Sequence, residues 1–292
     1  MTEPAARTAV WSGEPERLDR VLARTGLVRS RSRAAELIAR GEVSIDGAPA
    51  GKAGVRVPDG ASVAVASSDR YVSRGAHKLL AGLDAFAISP AGRLALDLGA
   101  STGGFTQVLL ERGARAVLAV DVGHDQLAPE LRGDPRIHLF EGCNARDLDA
   151  PSLAAGTGVS ERPGLVVADL SFISLALILP AIARCAAADA ELLLLVKPQF
   201  EVGRVKDGVV TDPAQHAEAI RIALRAAAAS GYAARGIVPS PIAGGTGNRE
   251  FLVHLAPAAQ ADPTEWEARI AELAGSRRTT DAPGRARAEG GT

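Results

Sequence analysis

Two charged residues follow apolar runs at positions where buried strands are expected to end. Lys197 comes directly after LLLLV and is followed by Pro198, and Asp169 ends the run VVAD. Ligands of an open parallel sheet bind at the edge formed by the carboxyl ends of its strands. There an amine and a carboxylate could hold or move a proton during group transfer. The structural alternative is that Asp169 caps the next helix and Lys197 extends into solvent. Two charges at neighbouring strand ends, with Pro198 preventing further sheet pairing, favour a functional site.

A glycine-rich turn in LALDLGASTGGFT, residues 94–106, predicts a ligand site at the same edge. Glycines let a ligand approach the backbone, and the following helix begins with free N–H groups. The turn lacks the GxGxxG spacing of dinucleotide sites, and Asp121, 22 residues after Gly99, can bind ribose hydroxyls. No Walker lysine is present, and no arginine beside Asp121 is available for a 2′-phosphate, so S-adenosylmethionine fits best. The predicted cofactor-binding residues are Asp97, Gly99, Ala100, Ser101, Thr102, Gly103, Gly104, Phe105, Asp121, Asn144 and Asp169.

The motifs also narrow the acceptor of the methyl group. Enzymes that methylate exocyclic base amines commonly have a D/N-P-P-aromatic turn, where this chain has DLSF. Methylation of cytosine C5 needs a cysteine nucleophile, but Cys185 lies in an apolar helical segment and is interpreted as a core residue. An oxygen acceptor, such as a ribose hydroxyl, remains.

The elements that must position these residues alternate between strand and helix. From Pro90 onward, apolar strands follow helical patterns one by one, which predicts an α/β domain over 76–256 with a Rossmann-like, doubly wound sheet. We expect seven strands, mostly parallel, because their continuous apolar runs suit strands covered on both faces. The pattern includes a short helix near 126–131 and a long Ala-rich helix at about 213–230.

A smaller unit precedes this domain. Two short helical patterns and two alternating strand patterns over 16–66 predict a compact α+β module. Residues 16–78 contain twelve Lys or Arg against seven Asp or Glu, although the whole chain has a net charge of −1. This surplus predicts contacts with RNA phosphates, the alternative being a solvated charged face. The predicted RNA-binding residues are Arg17, Arg24, Arg29, Arg31, Arg33, Arg40, Lys52 and Arg74.

The remaining segments and the composition set further expectations. We expect a flexible arm at 1–15, a linker at 67–75 and a mostly disordered tail at 257–292 with one possible helix in PTEWEARIAELAG. Two cysteines form no disulfide framework and have no metal-ligand spacing. No apolar stretch approaches the roughly 18 residues of a membrane span. These features predict a cytoplasmic monomer without metal or membrane contact, and the 3% aromatic content argues against base stacking as its main mode of RNA binding.

With these motifs in view, the chain resembles the TlyA family of bacterial ribosomal RNA 2′-O-methyltransferases. The catalytic domain of that family is similar to FtsJ (RrmJ), and its N-terminal module is of the alpha-L RNA-binding type. The matching segments are RLDRVLARTGLVRSRSRAAELIARGEVSIDG, YVSRGAHKL, LDLGASTGGFT, ADLSFIS, LLVKPQFEVG and GNREFL.

The resemblance implies the reaction and its residues. It implies S-adenosylmethionine as methyl donor, cytidine ribose in ribosomal RNA as substrate and ribosomal subunits as partners. It also implies a catalytic tetrad, which motif by motif becomes Lys78, Asp169, Lys197 and Glu250. Some family members carry a haemolysin label. This sequence predicts no membrane-spanning segment and therefore does not favour haemolysin activity.

Two other functions remain open from the residues themselves. An NAD-dependent oxidoreductase would share the fold class, and a non-catalytic RNA-binding or ribosome assembly factor would need only the basic module. Four charged residues converging from separate motifs favour the enzyme. Whether Lys197 accepts a proton or stabilises an alkoxide as a cation depends on how its neighbours balance.

Overall fold

A computed structural model of the protein describes residues 6–28, 30–39, 41–65, 71–203, 205–258 and 262–275. The chain divides into two compact units, residues 1–72 and 73–292, and the division falls within the predicted linker. Each unit contains its own cluster of buried apolar side chains. No helix in the described ranges combines the length and apolar character needed to cross a bilayer.

The first unit is a small α+β module. Its elements are β1 (Arg7–Val10), β2 (Glu16–Arg17), α1 (Leu18–Arg24), α2 (Arg31–Ala39), β3 (Val43–Ile45), β4 (Ala48–Pro49), β5 (Arg56–Val57) and β6 (Ser62–Val65). Four strands form an antiparallel sheet in the order β1-β6-β3-β4, and β2 pairs with β5. Leu18, Leu22 and Leu37 are fully buried between the two helices and the sheet, as their helical spacing predicts.

The arm prediction for 1–15 is corrected within the described residues. Strand β1 pairs antiparallel with β6, from Arg7 opposite Val65 to Val10 opposite Ser62. Trp11 is buried in the core of the module. The physical reason is tertiary: RTAV has no strong strand pattern of its own, but β6 offers it an unpaired edge and the core offers a site for the indole.

The second unit carries the predicted α/β domain. Its elements are α3 (Gly75–Ala85), β7 (Leu94–Leu98), α4 (Gly104–Glu111), β8 (Ala116–Val120), β9 (Ile137–Phe140), α5 (Ala150–Thr157), β10 (Leu165–Ala168), α6 (Leu175–Cys185), β11 (Glu191–Val196), α7 (Pro198–Glu201), α8 (Pro213–Ala229), β12 (Tyr232–Pro239), β13 (Phe251–Pro257) and α9 (Glu267–Gly275). Short 3-10 turns occupy Ala145–Asp147, Lys206–Gly208 and Pro263–Trp266.

The seven strands lie in the order β12-β13-β11-β10-β7-β8-β9. Strands β11, β10, β7, β8 and β9 run parallel, while β13 is antiparallel to β11 and β12. This confirms the predicted seven-stranded, mostly parallel, doubly wound sheet. Every residue of β7, β8 and β10 is buried, which explains why these strands are almost wholly apolar. Strand β7 has β8 on one side and β10 on the other. The loop after β7 leads toward β8 and the loop after β10 leads toward β11, so the two loops diverge and a crevice opens between them.

Two other predictions differ in outcome. The segment 126–131 contains no helix, because Pro129 has no N–H to donate to the carbonyl of Asp125. The carbonyl oxygens of Asp125 and Leu127 instead accept hydrogen bonds from the Arg132 guanidinium, both at 2.8 Å. The possible helix after 262 is present as α9, with Ile270 fully buried and Glu267 paired to Arg221 of α8 at 2.7 Å. The possible helix predicted within the tail is therefore confirmed, and residues 276–292 lie outside the described part of the chain.

Asp97 has a structural position. Its side chain is fully buried within β7, and Thr106 Oγ1 of α4 donates to its Oδ2 at 2.7 Å. It lines neither of the two cavities described below. This hydrogen bond joins the two elements on either side of the glycine-rich turn. Burial, opposed by the Thr106 bond, raises the pKa of Asp97 to about 7.

Burial of Asp97 predicts a pH-dependent stability. Between about pH 4 and pH 7 the folded protein holds a proton on Asp97 that the unfolded chain has already released, so the free energy of unfolding should fall as pH rises through this range. The Asp97→Asn protein has no group at this position that titrates. Its free energy of unfolding should therefore fall less over this range than that of wild type, by up to about 4 kcal/mol. Urea unfolding across this range measures the difference. Asp84→Asn, at an exposed position of α3, is the control. Parallel profiles for wild type and Asp97→Asn would contradict the prediction.

Candidate active site

Two neighbouring cavities open at the carboxyl edge of the sheet. The large cleft, about 720 Å³, is lined by the ends of β7, β8 and β10 and by the start of α6. The small cavity, about 270 Å³, lies beside the glycine-rich turn and the start of α3. Gly99, Ser101, Asp169 and Ser171 line both. A ligand in the large cleft and a ligand in the small cavity would therefore meet at Asp169.

The glycine-rich turn has a backbone shape that requires glycine at two positions. Gly99 has φ +82° and Gly103, which caps α4, has φ +91°. A Cβ on Gly99 would lie 3.0 Å from the backbone oxygen of Asp169, so glycine is required there both by conformation and by space. Ser101 adopts φ +47°, a left-handed conformation that is uncommon for serine.

Asp121 fixes this turn from the end of the next strand. Its Oδ2 accepts a hydrogen bond from Ser101 N at 2.8 Å, and its Oδ1 accepts from Gly123 N at 2.7 Å and from Gln126 Nε2 at 3.4 Å. A carboxylate has about four acceptor sites, so one remains for a ligand hydroxyl. Asn144 is exposed in the same cleft.

The predicted cofactor residues thus divide into three groups. Gly99, Ser101, Asp121, Asn144 and Asp169 line the large cleft. Ala100, Thr102, Gly104 and Phe105 line the small cavity. Asp97 and Gly103 line neither. The Asp97 side chain accepts a hydrogen bond from Thr106 of α4, and the backbone of Gly103 caps α4.

The four residues of the predicted tetrad form a continuous charged network around Asp169. Lys197 Nζ lies 2.6 Å from Asp169 Oδ1, and Lys78 Nζ lies 3.5 Å from Asp169 Oδ2. Lys78 Nζ also lies 2.7 Å from Glu250 Oε2. These four side chains, Lys78, Asp169, Lys197 and Glu250, are called the charged network below.

The charged network is shielded from water yet electrically balanced. Lys78, Lys197 and Glu250 are only 7%, 8% and 3% exposed. Ions removed from water to this extent are stable only when paired, and two ammonium groups here face two carboxylates. The network therefore presents paired charges that are largely shielded from solvent, where they act more strongly on a reacting group than they would in water.

Each member is placed by the end of a rigid element. Lys78 lies in the first turn of α3, Asp169 follows β10, and Glu250 precedes β13. Lys197 follows β11 and caps α7, whose first residue is Pro198. Proline suits the first position of a helix and stops further sheet pairing, so the chain turns immediately after Lys197.

Two buried polar residues that sequence reasoning missed fix the loops carrying these side chains. Glu201 of α7 accepts hydrogen bonds from Ser174 Oγ at 2.5 Å and Leu175 N at 2.9 Å, which ties the loop after β11 to the loop after β10. Burial raises the pKa of Glu201. Asn248 accepts from Val210 N and donates to Gly208 O, both at 2.8 Å, so it anchors the segment 201–212 near Glu250. Both residues stand inside the motifs VKPQFEVG and GNREFL, but no local pattern distinguishes them.

An exposed aromatic residue stands at the mouth of the large cleft. Phe172 is 91% exposed, adopts φ +65°, and its ring centre lies 5.1 Å from that of Phe200. Apolar side chains held open to solvent in this way mark binding surfaces, and aromatic faces stack with nucleobases. The low aromatic content of the chain gave no sign of this surface.

A nucleophilic role for Cys185 finds little support in the structure. Cys185 is fully buried, and burial raises the pKa of its thiol to about 11, so the interpretation as a core residue is confirmed. Among the described residues, no three His, Cys, Asp or Glu side chains gather as metal ligands do.

The predicted RNA-binding residues of the first unit differ in availability. Arg24 and Lys52 are exposed, and Arg17 and Arg31 are exposed although each pairs with Asp19 at 3.0 Å. The Arg33 side chain is only 12% exposed and pairs with Glu36. Arg29 and Arg40 lie outside the described residues. Arg74, in the second unit, is exposed and lines the small cavity.

Comparison with known proteins agrees with this geometry. A profile of the FtsJ-like methyltransferase family matches residues 71–256, and an S4 domain profile matches residues 16–63. The 16S/23S rRNA (cytidine-2′-O)-methyltransferase TlyA of Mycobacterium tuberculosis is 51% identical over 244 residues, which cover 82% of this chain and 89% of that protein. Hemolysin A of Brachyspira hyodysenteriae is 35% identical over 242 residues, or 82% of this chain and 99% of that protein.

A solved structure shares the fold over nearly the whole chain. It is a provisionally named hemolysin from Streptococcus thermophilus, 35% identical, with a TM-score of 0.69 and coverage of 90% of this chain and 95% of that one. The strand order, the motifs and these similarities lead to one assignment. The chain belongs to the TlyA family of FtsJ-like methyltransferases and has an S4 domain ahead of its methyltransferase domain.

Proposed function

We propose that this protein transfers a methyl group from S-adenosylmethionine to the ribose 2′-hydroxyl of a cytidine in ribosomal RNA, in the cytoplasm. The observation that carries the proposal is the charged network, which lies in a cavity that shares Asp169 with a cleft of cofactor size. The similarity to a protein named for this reaction, 51% identical over most of the chain, supports the choice of substrate.

The large cleft fits S-adenosylmethionine. Gly99 and Ser101 would leave room for the methionine part, Asp121 would accept a ribose hydroxyl, and Asn144 lies where the base would bind. The close approach of Gly99 to the backbone of Asp169 explains why this turn excludes a side chain. S-adenosylmethionine, when bound, supplies an electrophilic methyl carbon.

The charged network performs the remaining task, which is to handle the proton of the acceptor. A ribose 2′-hydroxyl is a weak acid, and it must be both held and relieved of its proton. Lys197 contacts the 2′-oxygen. As a neutral amine it accepts the proton, and as a cation it stabilises the developing alkoxide while the proton passes to solvent. Asp169 orients Lys197 at 2.6 Å, while Lys78 and Glu250 complete the network and hold the ribose.

The S4 domain and exposed side chains around the two cavities bind the RNA. Arg24, Arg31 and Lys52 present positive charge to phosphates, which positions RNA without reading its sequence. Arg74 contacts the backbone of the nucleotide that enters the small cavity. Phe172 provides a surface on which a base can stack.

Removal of the Lys197 amine should abolish chemistry but not cofactor binding. We expect Lys197→Ala to bind S-adenosylmethionine with unchanged affinity, because Lys197 lines the small cavity and not the large cleft. Methyl transfer should fall by at least about 100-fold. Calorimetry and transfer of a tritiated methyl group to purified ribosomal subunits measure the two effects. The control is Arg115→Ala, which removes an exposed ion pair with Glu161. Near-normal turnover of Lys197→Ala would refute the role of Lys197.

A side chain at Gly99 should weaken cofactor binding. Gly99→Ala places a carbon 3.0 Å from the backbone oxygen of Asp169, so either the turn or Asp169 must move. We expect affinity for S-adenosylmethionine to fall about tenfold or more, since strain and displacement here cost over ~1 kcal/mol. Gly133→Ala is a matched control, because Gly133 also has a left-handed φ, +90°, but a Cβ there meets nothing within 4 Å. Equal affinities for the two variants would contradict the role of the turn.

Replacing two arginines of the S4 domain with neutral glutamines should reduce the salt dependence of RNA binding. We expect Arg24→Gln/Arg31→Gln to bind ribosomal RNA more weakly, because two positive charges no longer face the phosphates. The slope of log K against log salt should become shallower by about 0.7–0.9 for each phosphate that is no longer neutralised. Affinity for S-adenosylmethionine should not change. Arg115→Gln/Arg136→Gln, at exposed positions away from both cavities, is the matched control. An unchanged slope in the first variant would show that this face is only a solvated charged surface.

A further inference from the structure

Ser171 extends the charged network by one neutral group. Lys197 Nζ donates a hydrogen bond to Ser171 Oγ at 2.9 Å, in addition to its ion pair with Asp169. Ser171 is two residues after Asp169, is itself exposed, and lines both the large cleft and the small cavity. It therefore stands at the junction of the two ligand spaces, in contact with the amine that faces the acceptor.

The two lysines of the network differ in their partners. Lys78 lies between two carboxylates, Asp169 and Glu250. Lys197 has one carboxylate and one hydroxyl. An ammonium group carries three N–H donors, so Asp169 and Ser171 occupy two of them and leave one for a further oxygen. The partners of Lys197 thus leave one direction open, toward the small cavity that its side chain lines.

A single ion pair would not fix this direction. A lysine side chain has four carbons and rotates freely about each bond, and one contact at 2.6 Å leaves Nζ free to turn about that contact. A second contact at an angle to the first removes that rotation. The hydroxyl of Ser171 can also accept from an ammonium or donate to a neutral amine, so it can hold Nζ before and after proton transfer.

The position of Ser171 is itself fixed by tertiary contacts. Phe172, the next residue, has a left-handed backbone, and Ser174 is bonded to the buried carboxylate of Glu201. The loop after β10 is therefore held against the loop after β11, which carries Lys197. This explains how an exposed hydroxyl keeps a defined distance from a buried amine.

We propose that Ser171 is a positioning residue for the methyl transfer, which with Asp169 aims Lys197 Nζ at the acceptor oxygen. This inference rests on the proposed function. Ser171 acts through Lys197 rather than on the substrate. Its loss should therefore slow methyl transfer without weakening the binding of S-adenosylmethionine or of RNA.

The test compares Ser171→Ala with Ser171→Thr, which restores a hydroxyl. We expect the single-turnover rate of methyl transfer from tritiated S-adenosylmethionine to purified ribosomal subunits to fall about 10- to 100-fold in Ser171→Ala, because a hydrogen bond to a charged group is removed. Dissociation constants for S-adenosylmethionine and for ribosomal RNA should stay within about twofold of wild type, and Ser171→Thr should recover most of the rate. Ser89→Ala, a turn hydroxyl ahead of β7, is the control and should be unaffected.

Three results would overturn the inference. The first is a Ser171→Ala rate within about twofold of wild type, and the second is a loss of rate fully matched by weaker binding of either ligand. The third is a Ser171→Thr protein as slow as Ser171→Ala. If wild type itself transfers no methyl group to either subunit, the proposed function fails and this inference fails with it. If Lys197→Ala is inactive while Ser171→Ala is normal, only the role of Ser171 fails.

Discussion

The carboxylate of Asp169 is the interaction on which the site depends. One of its oxygens pairs with Lys197 at 2.6 Å and the other faces Lys78 at 3.5 Å, so a single side chain brings together residues from α3 and from the end of β11. Its backbone oxygen also limits Gly99 to glycine, which couples the cofactor turn to the same residue. Asp169 can do this because β10 lies between β7 and β11, at the point where the loops diverge. Moving this strand end would disturb both ligand spaces at once.

A buried network of four charges is costly unless its geometry is maintained, because each ion has lost most of its hydration. The fold maintains it in two ways. Asp169 and Lys197 project from the ends of buried, largely apolar strands, which are among the most rigid parts of the sheet. Glu201 then bonds the loop after β11 to the loop after β10, and Asn248 bonds the segment at 208–210 to the loop that carries Glu250. Catalysis that relies on fixed charges requires this, because charges that must reorganise during the reaction stabilise its transition state less.

Sequence reasoning succeeded where a local pattern has one physical interpretation and was wrong where tertiary contacts decided. Alternating apolar strands and helices have few solutions other than a doubly wound parallel sheet, and the sheet was predicted with its strand number and direction. The prediction for 7–10 was wrong because β6 supplied hydrogen-bond partners that no local pattern shows. The hydrogen bond between the buried side chain of Asp97 and Thr106 likewise has no local signal, because it joins β7 to α4. The helix predicted at 126–131 was wrong for a local reason, because Pro129 interrupts it.

The sequence by itself determined the residue types and their order: a lysine and an aspartate at strand ends, a glycine-rich turn, and an acid at the end of the next strand. These follow from local periodicity, which one strand or helix expresses without reference to the others. Only the tertiary structure decided which of those residues meet. It showed that Asp169 serves two lysines, that Ser171 lies within 2.9 Å of Lys197, and that Phe172 remains exposed at the cleft. The physical reason is that distances between side chains on different strands depend on strand order and loop anchoring, which are set by packing over the whole domain and not by any local stretch of residues.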